Sequence, residues 1–118
     1  MNDLILLVDE DPLLGEVISE YLSAKGYQVD VAEDEEQALQ LLKTREYLLA
    51  LIDQGVRSST TRALLLALRA ADSRMPCLLL TNYSQLEKIT PLLESCTADY
   101  LLKPFQLSEL HNMIRKHL

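Results

Sequence analysis

Residues 4–12 read Leu4-Ile5-Leu6-Leu7-Val8-Asp9-Glu10-Asp11-Pro12. An apolar run stops abruptly at three acids, and a proline follows. A strand with one wet face alternates polar and apolar side chains, whereas an unbroken apolar run of this length suits a strand covered on both faces. Asp11 is a good helix cap and Pro12 suits the first helical turn. Strand, acidic turn and helix thus succeed one another, which is how an α/β unit opens.

The same alternation continues along the chain. Leu48–Ile52 and Cys77–Leu80 are nearly all apolar and read as central strands. Gln28–Ala32 alternates and is expected at an edge, and Tyr100–Leu102 completes the set. The first helix starts at Pro12, carries the stripe Leu14, Val17, Ile18, Tyr21, Leu22, and closes before Gly26. The second starts at Asp34 with Gln37 three residues on, a capping-box spacing, and buries Ala38, Leu41 and Leu42. A third covers about Thr61 to Ala71 and a fifth about Leu107 to His117. Between the fourth and fifth strands Pro91 interrupts a helical pattern. An interior proline costs ~3 kcal/mol or more, so Thr90 is expected to cap a shortened or kinked helix, with 84–89 irregular or a separate turn. Regular β-α alternation predicts an α/β fold: a doubly wound five-stranded parallel sheet, strand order 2-1-3-4-5, flavodoxin-like. Linkers and repeats are missing from the pattern, so residues 1–118 are expected to form one domain.

The balance of charge narrows the function. The formal net charge is −7 and basic residues are scattered, unlike a nucleic-acid-binding face. Arg115-Lys116 is expected to complement a helix C-terminus. Cys77 and Cys96 lack Cys or His partners at ligand spacing, which suggests free thiols in a reducing compartment. The apolar run 4–8 is too short for a signal peptide or a membrane span, so a cytoplasmic location away from membranes is expected.

In open α/β sheets ligands bind beyond the carboxyl ends of the strands. There the chain presents Asp9, Glu10 and Asp11 after the first strand, Asp53 after the third, Thr81 after the fourth and Lys103 after the fifth. Clustered carboxylates repel one another, and a hard divalent cation such as Mg²⁺ relieves the repulsion through oxygen ligands. An ionised carboxylate beside a cation and an ammonium can attack a phosphoryl group, while a hydroxyl donates to its oxygens.

These segments carry a resemblance. Ile5 through Pro12, Leu51-Ile52-Asp53, Leu79-Leu80-Thr81 and Asp99 through Phe105 resemble, in order and spacing, the receiver domains of bacterial two-component response regulators. The resemblance implies that Asp53 accepts the phosphoryl group. It implies that Asp9, Glu10, Asp53 and the Gly55 carbonyl hold Mg²⁺, with Mn²⁺ as a substitute. It further implies that Lys103 pairs with the phosphoryl group across a cis Lys103-Pro104 bond, that Thr81 senses it, and that Tyr100 is the aromatic switch. The implied partners are a histidine kinase or histidine phosphotransfer protein upstream and an effector protein or effector domain downstream. Turnover of a separate substrate, as by an enzyme, is not implied.

The chain also departs from the family pattern. Arg57 and Thr61 replace the family's loop Pro and Gly, so the loop 54–61 is more polar. One subfamily pairs receivers through salt bridges on the face of the fourth and fifth helices. Asp99 and Glu109 match its acids, but Ile89 and Met113 stand at the basic positions, so no such network is expected. Gly55 and Tyr83 flank the expected path of hydrolytic water, and a Tyr83 ring covering Asp53 would lengthen the phosphoryl lifetime. The alternative function is a phosphorylation-independent interaction module on the same fold. A flavin- or nucleotide-binding enzyme is a poor fit, since Asp9-Glu10-Asp11 would repel a phosphate where such enzymes have a Gly-rich cradle.

Overall fold

The unbroken apolar strands do occupy the centre of the sheet. The computed structural model describes residues 3–9, 11–53, 58–72, 74–84, 86–87, 90–91 and 98–117. Its strands are β1 (Leu4–Val8), β2 (Gln28–Ala32), β3 (Leu49–Asp53), β4 (Cys77–Thr81) and β5 (Ala98–Leu102). All neighbours pair in parallel, in the order β2-β1-β3-β4-β5. The helices are α1 (Pro12–Ala24), α2 (Glu35–Thr44), α3 (Ser58–Ala71) and a C-terminal helix (Leu107–Lys116).

Successive side chains on a strand point to opposite faces, so each apolar run feeds two cores. Leu6, Val8, Ala50, Ile52 and Leu79 pack with Ala38 of α2 and Leu65 and Leu68 of α3. Ile5, Leu7, Leu49, Leu51, Leu78 and Leu80 pack with Ile18 and Leu22 of α1 and with Leu110 and Ile114 of the C-terminal helix. Burying each such leucine or isoleucine contributes roughly 1.5–3 kcal/mol. The edge strand β2 leaves Gln28 and Val31 exposed, as its alternation implied.

The helix ends form as their sequences dictate. Asp11 Oδ1 accepts the amide of Leu13 at 3.0 Å, which fixes the start of α1. Gly26, at φ 96°, closes that helix, and the Tyr27 amide returns to the Leu22 carbonyl. Asp34 Oδ1 accepts the Gln37 amide at 2.8 Å, while the Gln37 side chain accepts the Glu33 amide at 2.9 Å. An Asp34→Ala variant is therefore expected to lose about 1 kcal/mol, which a thermal melt would register as a fall of roughly 4 °C.

Two boundaries differ from the sequence expectation. α3 begins at Ser58, not near Thr61, because the Leu-rich stretch behind it anchors the helix to the sheet. Tertiary packing of that kind outweighs the modest preference of Ser and Thr for loops. Between β4 and β5, Ser84, Leu86, Glu87, Thr90 and Pro91 are all helical. The Thr90 hydroxyl donates to the Leu86 carbonyl at 2.7 Å, one turn back. Thr90 is thus helical, not a cap, and the described residues of 84–89 are helical, which overturns the irregular reading and leaves the separate turn open, since 88 and 89 lie outside the described residues. Its hydroxyl supplies a donor on the turn where Pro91 lacks an amide. The course of the chain on either side of Thr90 and Pro91, on which the expected shortening or kink at Pro91 depends, and the positions of Ile89 and Cys96 lie outside the described residues.

Candidate functional site

The parallel register brings the strand ends level. Val8 sits opposite Ile52, Asp53 opposite Leu80, and Thr81 opposite Leu102. Asp9, Asp53, Thr81 and Lys103 therefore emerge at one edge of the sheet, on its central strands and β5. The Lys103 amide donates to the Thr81 carbonyl at 2.6 Å, tying the chain after β5 to the end of β4. The Lys103-Pro104 peptide is cis, as expected. The Lys103 ammonium donates to Asp53 Oδ1. The Asp53 side chain is only 7% exposed, against 29% for Lys103, so the pair is largely withdrawn from solvent.

Asp9 carries the electrostatic tension of the site. It is 2% exposed. Its Oδ1 accepts the Asp11 amide at 2.8 Å. Its Oδ2 is buried and has no hydrogen-bond donor among the described residues. Burial above all, with the neighbouring Asp53 carboxylate and the charge of Asp11, pushes Asp9 up to about 7, against the pull of the Asp11 amide. A buried carboxylate oxygen without a donor, beside a second carboxylate, is what a hard cation with oxygen ligands satisfies. Asp9 and Asp53 therefore fit a divalent metal. Glu10 and Gly55, the other expected ligands, lie outside the described residues. Asp11 caps α1 through its Oδ1.

Thr81 is fully buried at the end of β4. Tyr100 is half-buried and packs against the core on the α2 and α3 side. Tyr83 does not cover Asp53. It is 77% exposed and lines a groove with Tyr100, Lys103 and Glu109. The Ser84 hydroxyl donates to Asn82 Oδ1 at 2.6 Å and starts a helical turn there, which carries Tyr83 outward.

Three arrangements had no sequence signal. Gly15 lies against Asp9, where an added Cβ would stand 3.5 Å from Oδ2, in ordinary contact. Asp30 on β2 accepts both the buried Tyr47 hydroxyl, at 2.7 Å, and Arg45, at 2.9 Å. Asp99 Oδ2 meets His117 Nε2 at 2.9 Å and Lys116 at 3.9 Å, while Oδ1 accepts the Tyr100 amide. Burial alone would raise Asp99, but His117, the Tyr100 amide and Lys116 together hold it below the usual carboxylate range. Asp99 and Glu109, the two acids of the subfamily network, are both engaged within the chain, Glu109 with the Gln106 amide at 3.1 Å.

Fold and site together define a doubly wound α/β domain with a carboxylate–lysine cleft at its strand ends. The family model described as response regulator receiver domain matches residues 5–115, and the chain belongs to that family. It is a receiver domain of two-component response regulators. Among curated relatives, it is 35% identical over 111 residues to the probable transcriptional regulatory protein SilR of Salmonella typhimurium, covering 94% of this chain and 49% of that protein. It is 28% identical to the response regulator protein FleR of Pseudomonas aeruginosa, covering 96% of this chain and 24% of that one. The chain thus spans between about a quarter and a half of these relatives. Among solved structures, the chemotaxis response regulator CheY4 of Vibrio cholerae aligns with a TM-score of 0.87 at 24% identity, over 100% of both chains. The receiver domain of a sensor histidine kinase from Pseudomonas aeruginosa, solved with magnesium in its active-site cleft, aligns with a TM-score of 0.82 at 27% identity, over 98% and 97% of the two chains. Among the described residues no helix is long and apolar enough to cross a membrane.

Proposed function

We propose that Asp53 accepts a phosphoryl group and that the whole of 1–118 acts as one receiver domain in the cytoplasm. The observation that carries this reading is the buried Oδ2 of Asp9, without a donor among the described residues, beside an Asp53 carboxylate already held by Lys103. An oxygen of Asp53 attacks phosphorus in line, and the bond to the leaving group breaks as that group departs with its electron pair. Lys103 turns its ammonium from the carboxylate to the incoming phosphoryl oxygens. The Thr81 hydroxyl donates to one of them, and Tyr100 follows Thr81 from its half-buried position. Asp9 and Asp53, together with Glu10 and the Gly55 carbonyl, would hold Mg²⁺ or Mn²⁺, which when bound would supply positive charge to offset the carboxylates and the phosphoryl oxygens. The domain is a signalling acceptor, not an enzyme with a separate substrate.

The donor is a histidine kinase or a histidine phosphotransfer protein. Exposed Leu13 and Val17 on α1, with Pro104, Phe105 and Leu107 nearby, give an apolar surface beside Lys103 for such a partner. An effector protein, or an effector domain as in relatives named transcriptional regulators, takes the output, and neither nucleic acid nor membrane is bound by this domain. Incubation with acetyl phosphate should add the mass of one phosphoryl group in the presence of Mg²⁺ and none in EDTA. Intact mass spectrometry reads this directly. An unchanged mass in both conditions would favour the phosphorylation-independent module.

A further inference from the structure

At the end of the molecule opposite the cleft, Lys25 and Arg115 both stand near His111. In this fold strands run toward the cleft and helices run back, so the C-termini of α1 and of the C-terminal helix share the remote end. Tyr21 and Lys25 are four residues apart at the end of α1, and so share a face. His111 and Arg115 have the same spacing on the C-terminal helix. The two pairs meet across the seam. The His111 ring stands edge-on to Tyr21, at 6.4 Å between centroids, and to Tyr27, at 5.7 Å. Lys25 Nζ lies 5.5 Å from the centroid of Tyr21.

Among the described residues these side chains have no ion pair or hydrogen bond, only ring contacts with one another. Arg45, Lys103 and Lys116 each have a carboxylate within ion-pair distance, whereas Lys25 and Arg115 have none among the described residues. Neither tyrosine hydroxyl has a hydrogen-bond partner among the described residues. Burial, with the charges of Arg115 and Lys25, lowers the His111 pKa, so its ring stays a neutral N–H donor near pH 7. The surface therefore offers two cations and several uncharged donors, in a chain whose net charge is −7. That combination suits carboxylates. It does not suit a long polyanion, which would have to run on over the acidic remainder of the molecule.

We propose that Tyr21, Lys25, Tyr27, His111 and Arg115 form a second docking surface, for a short acidic segment of a partner protein, at the end of the sheet remote from Asp53. Lys25 and Arg115 pair with its carboxylates, and the tyrosine and histidine donors fix their orientation. The surface stands apart from the cleft, so this partner and the phosphodonor can bind at once.

The test is a titration of isotopically labelled protein with a capped octaglutamate peptide at about 20 mM salt, where screening is weak. Amide and ring signals of these five residues should shift, and the shifts should fade at about 300 mM salt. A Lys25→Glu/Arg115→Glu double variant should bind roughly tenfold more weakly. A Lys25→Gln/Arg115→Gln variant should weaken binding severalfold with an unchanged fold, which guards against a misfolded charge reversal. Absence of shifts at millimolar peptide, or shifts indifferent to both variants, would overturn the proposal. So would tighter binding at the same residues by a DNA duplex or by phosphatidylserine vesicles. A lowered thermal midpoint in the variants with no peptide shift in the parent would show that the cations serve only the helix ends.

Discussion

An Asp9→Asn variant is expected to be more stable than the parent in the absence of metal, and to lose the response to Mg²⁺. In the parent, burial above all and the neighbouring Asp53 carboxylate push folded Asp9 up to about 7, from 3.8 as its ordinary value. A raised carboxylate pKa means that the folded state prefers the neutral form. Below 3.8 both states are protonated and the group costs nothing. As pH rises toward 7 the unfolded chain ionises first, and stability falls. Above that value the full penalty is present. With Asp9 almost wholly buried, the penalty is on the order of 4 kcal/mol; asparagine relieves on the order of 2 kcal/mol of it, since its amide must also find partners. Melts in EDTA at about pH 5 and pH 8 check this: the variant's advantage should be several degrees at pH 8 and small at pH 5. At pH 8, Mg²⁺ should raise the parent's midpoint and leave the variant's nearly unchanged. An advantage equal at both pH values would place the strain elsewhere.

Leu51→Ala should have the largest effect on the fold. Leu51 is fully buried at the middle of β3, with Leu7 and Leu78 as its neighbours on either side. It belongs to the core beneath α1 and the C-terminal helix. Removing three carbons there loses transfer energy and leaves a cavity, for about 3–5 kcal/mol. Small domains have only about 5–15 kcal/mol in total, so the urea midpoint should fall by roughly a third or more. Leu66 on α3 is 52% exposed, and Leu66→Ala should change stability by less than about 0.5 kcal/mol. Comparable losses in the two variants would contradict the burial pattern.

Sheet order and cleft were both legible because each rests on short-range pattern. Apolar runs such as Leu4–Val8, short and alternating with helical patterns, read as central strands, and polar residues immediately after them gather where parallel strands end. Asp53 and Lys103 thus come together although fifty positions apart. The less legible features depend on contacts between distant side chains. Nothing near Asp99 announces His117, and nothing near Asp30 announces Tyr47. Tyr83 shows the same limit: its position two residues after Thr81 suggested a cover for Asp53, but the helical turn begun by Asn82 and Ser84 directs it to solvent. The slow loss of phosphoryl group expected from a covering Tyr83 therefore loses that support, and Gly55 lies outside the described residues. Thr90 was misplaced for a related reason, since its hydroxyl bonds back one turn where an amide was expected to fail.

The account centres on Asp53 as the acceptor. The direct measurement is intact mass after acetyl phosphate and Mg²⁺, for the parent and for Asp53→Asn, followed by fragmentation to locate the added group. The parent should gain one phosphoryl group within the peptide that holds β3, and Asp53→Asn should gain none. A gain of the same size in Asp53→Asn, or one located away from β3, would contradict the account.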